Sequence, residues 1–197
     1  MNSAITALQK FDVTFLFPRL TSKLAIAVAA RKPVQSGDGT APDDSTVLAA
    51  ATGEDEAVVT PPHRTFRLAW APPMAATELG LPSFTVADLA HEITWPAGTR
   101  VGLVEGVGGP YSPLAFDGDT VDLARVLEPD VVVLVADVGL GVINAVRLTV
   151  PALAGWYVVV ACNRYAPDGL ARRNHDFLAD AGYDLVTSPE ELAQRLV

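Results

Sequence analysis

Residues 101–113 read Val-Gly-Leu-Val-Glu-Gly-Val-Gly-Gly-Pro-Tyr-Ser-Pro. An apolar run ends in a carboxylate, Glu105, and the chain then turns through Gly106, Gly108 and Gly109. A parallel strand has this appearance when it delivers an acid to the carboxyl edge of a sheet, where open α/β folds place their ligands. A single acid followed by glycines suits Mg²⁺, which takes one or two carboxylates together with phosphate oxygens. A strand that ends in an exposed acid and a plain glycine turn fits the same residues.

The pattern continues on both sides of this stretch. Arg100–Val104, Asp130–Ala136, Trp156–Ala161 and Tyr183–Val186 read as strands. Thr120–Leu127, Ile143–Val150, Leu170–Ala181 and Pro189–Leu196 read as helices between and after them. Continuous Val-rich runs alternating with helical segments predict an α/β fold, a mostly parallel sheet with helices on both faces. Upstream, Leu24–Pro33 should contain a strand, Ser45–Ala51 a helix, and Val86–Ile93 a helix starting near Ser83 or Thr85. Residues 37–44 and 58–73, rich in Pro, Gly and Asp, read as loops. Asp12–Phe17 could form a strand that Pro18 ends.

Composition narrows the function classes. The chain has 197 residues, half of them hydrophobic, enough to bury a core as one domain. A net charge of −9 with 14 scattered basic residues argues against a nucleic-acid surface. No apolar run approaches the ~18–20 residues needed to span a bilayer. A single cysteine, Cys162, excludes an internal disulfide, and a reducing cytoplasm fits best. His63, His91 and His175 lack metal-ligand spacing.

Other segments carry candidate chemistry. Lys32, one of three lysines, opens Lys32-Pro-Val-Gln-Ser-Gly37 where a strand should run into a loop. It could neutralise a phosphate or carboxylate, with Ser36 donating a hydrogen bond, or it could be a solvated loop lysine. Asp137-Val-Gly-Leu-Gly-Val-Ile-Asn144 follows the most hydrophobic strand and opens a helix. Its glycines admit an anion at the helix start or merely a tight turn. Asn163 ends another strand, and its amide could pair with a purine edge or simply turn the loop.

Taken in order, Lys32–Gly37, Val104–Gly109, Gly139–Asn144 and Asn163 resemble dethiobiotin synthetase, a family within the P-loop NTPases. The resemblance runs from about Ala29 to the carboxyl end and includes Ala71–Ala76 as a substrate-side segment. It implies an ATP- and Mg²⁺-dependent closure of a ureido ring on 7,8-diaminononanoate in biotin biosynthesis. There CO₂ is taken up as a carbamate, ATP phosphorylates it, and the second amine displaces phosphate. By position, it makes Lys32 the catalytic lysine, Ser36 a substrate ligand and Glu105 the Mg²⁺ ligand. Gly106, Val107 and Gly108 would line the nucleotide with their backbone. Asn163 and Arg164 would meet the adenine, and Thr187, Ser188 and Pro189 would close over it. A cytoplasmic homodimer is implied, with Asn144 reaching the partner's substrate site.

Two departures accompany the resemblance. The family opens with a strand and a Gly-x-x-x-x-Gly-Lys-Thr loop, but no glycine precedes Gly37 here. Residues 1–28 therefore read as an atypical amino-terminal segment, missing or replaced relative to the family, ahead of a family-like domain at 29–197. The family's second metal acid aligns with Thr46, and Asp43 or Asp44 would need a shifted loop to serve. Losing the phosphate cradle and one acid removes charge stabilisation that phosphoryl transfer depends on. The alternative to an enzyme is a non-catalytic binding or regulatory relative.

Overall fold

The computed structural model describes residues 3–9, 17–24 and 26–196. In chain order the elements begin with β1 (Ser3–Gln9), α1 (Phe17–Leu24), β2 (Val28–Arg31), β3 (Gln35–Ser36), α2 (Asp44–Thr52) and α3 (Glu56–Val59). They continue with β4 (Thr65–Phe66), α4 (Pro72–Glu78), α5 (Val86–Glu92), β5 (Val101–Glu105), α6 (Thr120–Leu127) and β6 (Val131–Asp137). Last come α7 (Val142–Thr149), β7 (Tyr157–Asn163), α8 (Gly169–Asp180), β8 (Leu185–Val186) and α9 (Pro189–Leu196).

Six strands form one parallel sheet in the order β2-β5-β1-β6-β7-β8. The expected α/β, P-loop NTPase-like architecture is therefore present. Its central position is filled by Ser3–Gln9, paired through Ala7 with Glu105 on one side and Val133 on the other. No gap separates β5 from β6. The strand expected at Asp12–Phe17 falls mostly outside the described residues, and Phe17 instead opens a helix. Pro18 sits in the first turn of α1, where a missing N–H costs nothing.

Alternation along the strands sorts the core into two layers. Val101 and Leu103 of β5, Val131, Val133 and Val135 of β6, and Val159 and Ala161 of β7 pack against α1, α2 and α9. Leu134, Ala136, Val160 and Cys162 face α7 and α8 instead. Val104 faces the cluster built from α4, α5 and α6. Both faces are thus covered, as continuous apolar strands require.

Local chemistry explains most helix starts. Thr85 and Asp88 form a reciprocal capping box on α5, as Asp119 and Asp122 do on α6. The 58–73 stretch is more structured than a loop. It contains the end of α3, a 3₁₀ turn at Pro62–Arg64, β4, and the start of α4. Of its four prolines, Pro61 stands at the N-cap of the 3₁₀ turn, and Pro62, Pro72 and Pro73 stand in first turns, where their fixed φ starts a helix. β4 pairs with β3 in a separate two-stranded parallel ladder.

Candidate functional site

Lys32 leaves the end of β2 and is almost wholly buried, with 3% of its surface exposed. Its Nζ donates to Glu105 Oε1 at 3.0 Å and to the Gly106 carbonyl at 2.8 Å. It also lies 2.7 Å from Asp44 Oδ2. Burial by itself would push this ammonium towards neutrality. The charges of Glu105 and Asp44 and their hydrogen bonds outweigh it, and the Lys32 pKa is raised. Lys32 is therefore a fixed positive charge at neutral pH, held between two carboxylates.

The backbone around Lys32 is anchored on both sides. Lys32 N–H donates to the Val59 carbonyl at 2.9 Å, and its own carbonyl accepts from Thr60 Oγ1 at 2.8 Å. Glu105 ends β5 and is 1% exposed. The turn after it needs its glycines. A Cβ on Gly106 would come within 2.7 Å of Thr120 Oγ1, and Gly108 has φ +62 with Ser112 Oγ in the way. Ser112 Oγ in turn accepts the Gly109 N–H at 2.9 Å, and Val107 between the glycines packs half-buried against the neighbouring core cluster. Ser36 Oγ donates to the Trp70 carbonyl at 2.6 Å, which ties its loop to the segment entering α4.

A second feature lies further along the same edge. Ala161, Cys162, Asn163, Arg164, Val186, Thr187, Ser188 and Pro189 line one small, half-open pocket. All five residues expected around a base, Asn163, Arg164, Thr187, Ser188 and Pro189, are brought together there. Asn163 is 4% exposed, and Arg164 turns the chain with φ 55. Glu191 accepts from the Thr187 N–H at 2.7 Å while its own N–H reaches Ser188 Oγ at 3.2 Å, so the 187–188 wall of the pocket is also the cap of α9. Glu105, Asp137 and Asn163 continue the alternation of strands β5, β6 and β7 onto the α1 face. Asn144 is not part of this row. It is exposed in the first turn of α7, which packs on the opposite face.

Comparison with known proteins bears on this geometry. A family model described as an AAA domain matches residues 18–173. The ATP-dependent dethiobiotin synthetase BioD of Rhodococcus jostii is 34% identical over 191 residues, covering 93% of this chain and 81% of that protein. The chain belongs to the dethiobiotin synthetase family. The dethiobiotin synthetase of Corynebacterium efficiens is 46% identical over 83 residues, and that match spans 42% of this chain and 37% of the relative. A solved structure of the signal recognition particle 54 kDa protein from Aeropyrum pernix, in complex with GDP, aligns over 99% of this chain and 46% of its own. That alignment has a TM-score of 0.48 and 15% identity.

Within this site, Asp44 is the informative residue. Thr46, where the resemblance places the family's second acid, has its Oγ1 bonded to Glu56 Oε1 at 3.0 Å. Asp44, the first residue of α2, reaches Lys32 Nζ. Its neighbour Asp43 pairs with Arg67 at 2.9 Å instead. Two carboxylates converging on one cation are a hard-oxygen donor set of the size Mg²⁺ uses beside phosphate oxygens. Among the described residues, no group of three His, Cys, Asp or Glu is placed to hold a metal. No helix among them is long and apolar enough to cross a membrane.

Proposed function

We propose that this chain binds a magnesium adenine nucleotide along the carboxyl edge of its main sheet. It would use that nucleotide to close a ureido ring on 7,8-diaminononanoate with CO₂, the dethiobiotin synthetase reaction. The observation that carries this reading is the Lys32 ammonium shared by Asp44 and Glu105 at 2.7 and 3.0 Å, on the same edge as the Asn163 pocket. Bound MgATP supplies the phosphoryl group and a dication. The rest is positioning and charge neutralisation by the protein.

Each residue then has a stated task. Lys32, kept positive by its two acids, neutralises the carbamate and the transferring phosphoryl group. Asp44 and Glu105 hold Mg²⁺. The Gly106, Val107 and Gly108 backbone allows close approach of the nucleotide. The Asn163 amide offers a donor and an acceptor to the purine edge, with Arg164 and Thr187–Pro189 around the base. Ser36 contacts the diamine. A homodimer is part of the reading: Leu140, 94% exposed, and Leu148, 71% exposed, flank Asn144 on the face that would meet a second copy.

Calorimetry tests it. The chain should bind MgATP, and Glu105→Gln should weaken that affinity at least tenfold while leaving metal-free ATP nearly unchanged. Equal MgATP affinities in the two proteins would remove the metal role of Glu105. A second reading has an observation of its own. The segment 10–16, between the central strand and α1, contains no glycine to let backbone amides surround a triphosphate. Binding of MgATP without phosphate release in the presence of diamine and bicarbonate would favour the non-catalytic relative.

A further inference from the structure

The first turn of α2 is not capped by its own residue. Asp43 stands at the N-cap position, but its side chain makes no cap hydrogen bond. Its carboxylate is turned to Arg67, at 3.0 Å through Oδ1 and 2.9 Å through Oδ2. The Ser45 N–H, one of the donors a helix leaves unpaired at its start, is completed from another element. Gln35 Oε1 on β3 accepts it at 3.1 Å. The same amide donates from Nε2 to Ser45 Oγ at 2.7 Å and to Thr65 Oγ1 on β4 at 3.1 Å. Ser45 Oγ in turn donates a hydrogen bond to Glu56 Oε1 on α3 at 2.7 Å.

Gln35 thus has both N–H groups and its oxygen engaged, at 5% exposure, against a serine that is 0% exposed. A buried polar set this fully satisfied fixes one arrangement, since any other leaves desolvated groups unpaired. The arrangement matters because Asp44 directly precedes Ser45. Successive helical residues are rotated by about 100° and raised by about 1.5 Å. A slip of one residue at the start of α2 would turn Asp44 away from Lys32.

We infer that Gln35 is a positioning residue: it acts as the external cap of α2 and thereby holds Asp44 against Lys32. Its consequence for cation binding rests on the reading that Asp44 and Glu105 hold Mg²⁺. The contact itself does not.

The experiment therefore has two arms. In the metal-free protein, hydrogen-bond scalar couplings by NMR report Lys32 Nζ against the carboxyl carbons of Asp44 and Glu105 separately. Gln35→Met, which keeps the bulk and removes the polar atoms, should lose the Asp44 coupling and keep the Glu105 coupling. Gln35→Glu still offers an oxygen to the Ser45 N–H and should keep both. Retention of the Asp44 coupling in Gln35→Met, or its loss in a folded Gln35→Glu, overturns the inference. The Gln35→Glu arm decides the matter if Gln35→Met does not fold.

In the second arm, Mg²⁺ affinity is measured by calorimetry. Gln35→Met should weaken it about as much as Asp44→Asn, roughly tenfold, with no further loss when the two are combined. Additive losses would show that Gln35 does not act through Asp44. If the parent protein binds no Mg²⁺, the metal reading fails while the couplings still decide the role of Gln35.

Discussion

Asp44 Oδ2 lies 2.7 Å from Lys32 Nζ, closer than Glu105 Oε1 at 3.0 Å, although the Asp44 side chain is 35% exposed and that of Glu105 only 1%. The two acids therefore contribute differently. Glu105→Gln leaves a buried ammonium with the Gly106 carbonyl and a single, partly solvated carboxylate, and should destabilise the fold by about 3–5 kcal/mol, the usual cost of breaking a buried pair. Asp44→Asn should cost about 1 kcal/mol, because water can replace much of what is lost. Urea unfolding of both variants measures the difference. Lys32→Met alone should be costly as well, and Lys32→Met with Glu105→Gln should recover most of the loss. Strict additivity of those two changes would show that they do not form a coupled pair.

The close approach of Gly106 to α6 gives a second expectation. Gly106→Ala puts a methyl group within 2.7 Å of Thr120 Oγ1, and overpacking of this kind costs about 1–3 kcal/mol. Thr120 Oγ1 is buried and has no hydrogen-bond partner among the described residues, so Thr120→Ala sacrifices no bond there. The double variant Gly106→Ala/Thr120→Ala should therefore unfold at a higher urea concentration than Gly106→Ala alone. If it does not, the methyl group is colliding with the backbone of the 106–109 turn rather than with Thr120.

These couplings mark the boundary of what could be read from the chain alone. Val131–Asp137 and Tyr157–Asn163 are Val-rich runs that announce buried parallel strands, and the Thr120–Leu127 helix carries its own cap at Asp119. Lys32, Glu105 and Asn163 were legible because each stands where such a strand stops. The central strand was not. Ser-Ala-Ile-Thr-Ala-Leu-Gln lacks the β-branched density of its neighbours and runs into Lys10 rather than glycine. The two-residue strands β3 and β4 are too short to show any period. Asp44 was expected to need a shifted loop, because the contact of Gln35, nine positions upstream, with the Ser45 N–H at the start of α2 leaves no mark in any local pattern.

The pocket at the end of β7 gives a prediction about the base. If Asn163 meets the purine edge, Asn163→Ala should weaken MgATP about tenfold, the cost of one or two hydrogen bonds. Binding of magnesium triphosphate without a base should be unchanged by the same substitution. Fluorescence competition with both ligands separates these outcomes. A loss shared equally by ATP and triphosphate would assign Asn163 to the architecture of the pocket and not to recognition of the base.

Cys162 lines that same pocket and is 4% exposed. Burial raises its thiol, with the charge of Glu191 adding to the effect, to about 11 from an ordinary 9.0. At pH 8 only about one molecule in a thousand carries the thiolate, so a disulfide reagent should modify the folded protein far more slowly than the urea-unfolded one. The linkage has a definite sign. The folded state holds the thiol proton more tightly than the unfolded state, so stability falls as pH rises from 9.0 towards 11. Other groups titrate in that range, which makes Cys162→Ala the proper reference. The stability difference between the two proteins should be flat below pH 9 and then shift in favour of Cys162→Ala, by roughly 2 kcal/mol at the upper end. A difference that stays constant across the range would mean that Cys162 ionises as easily inside the fold as outside it.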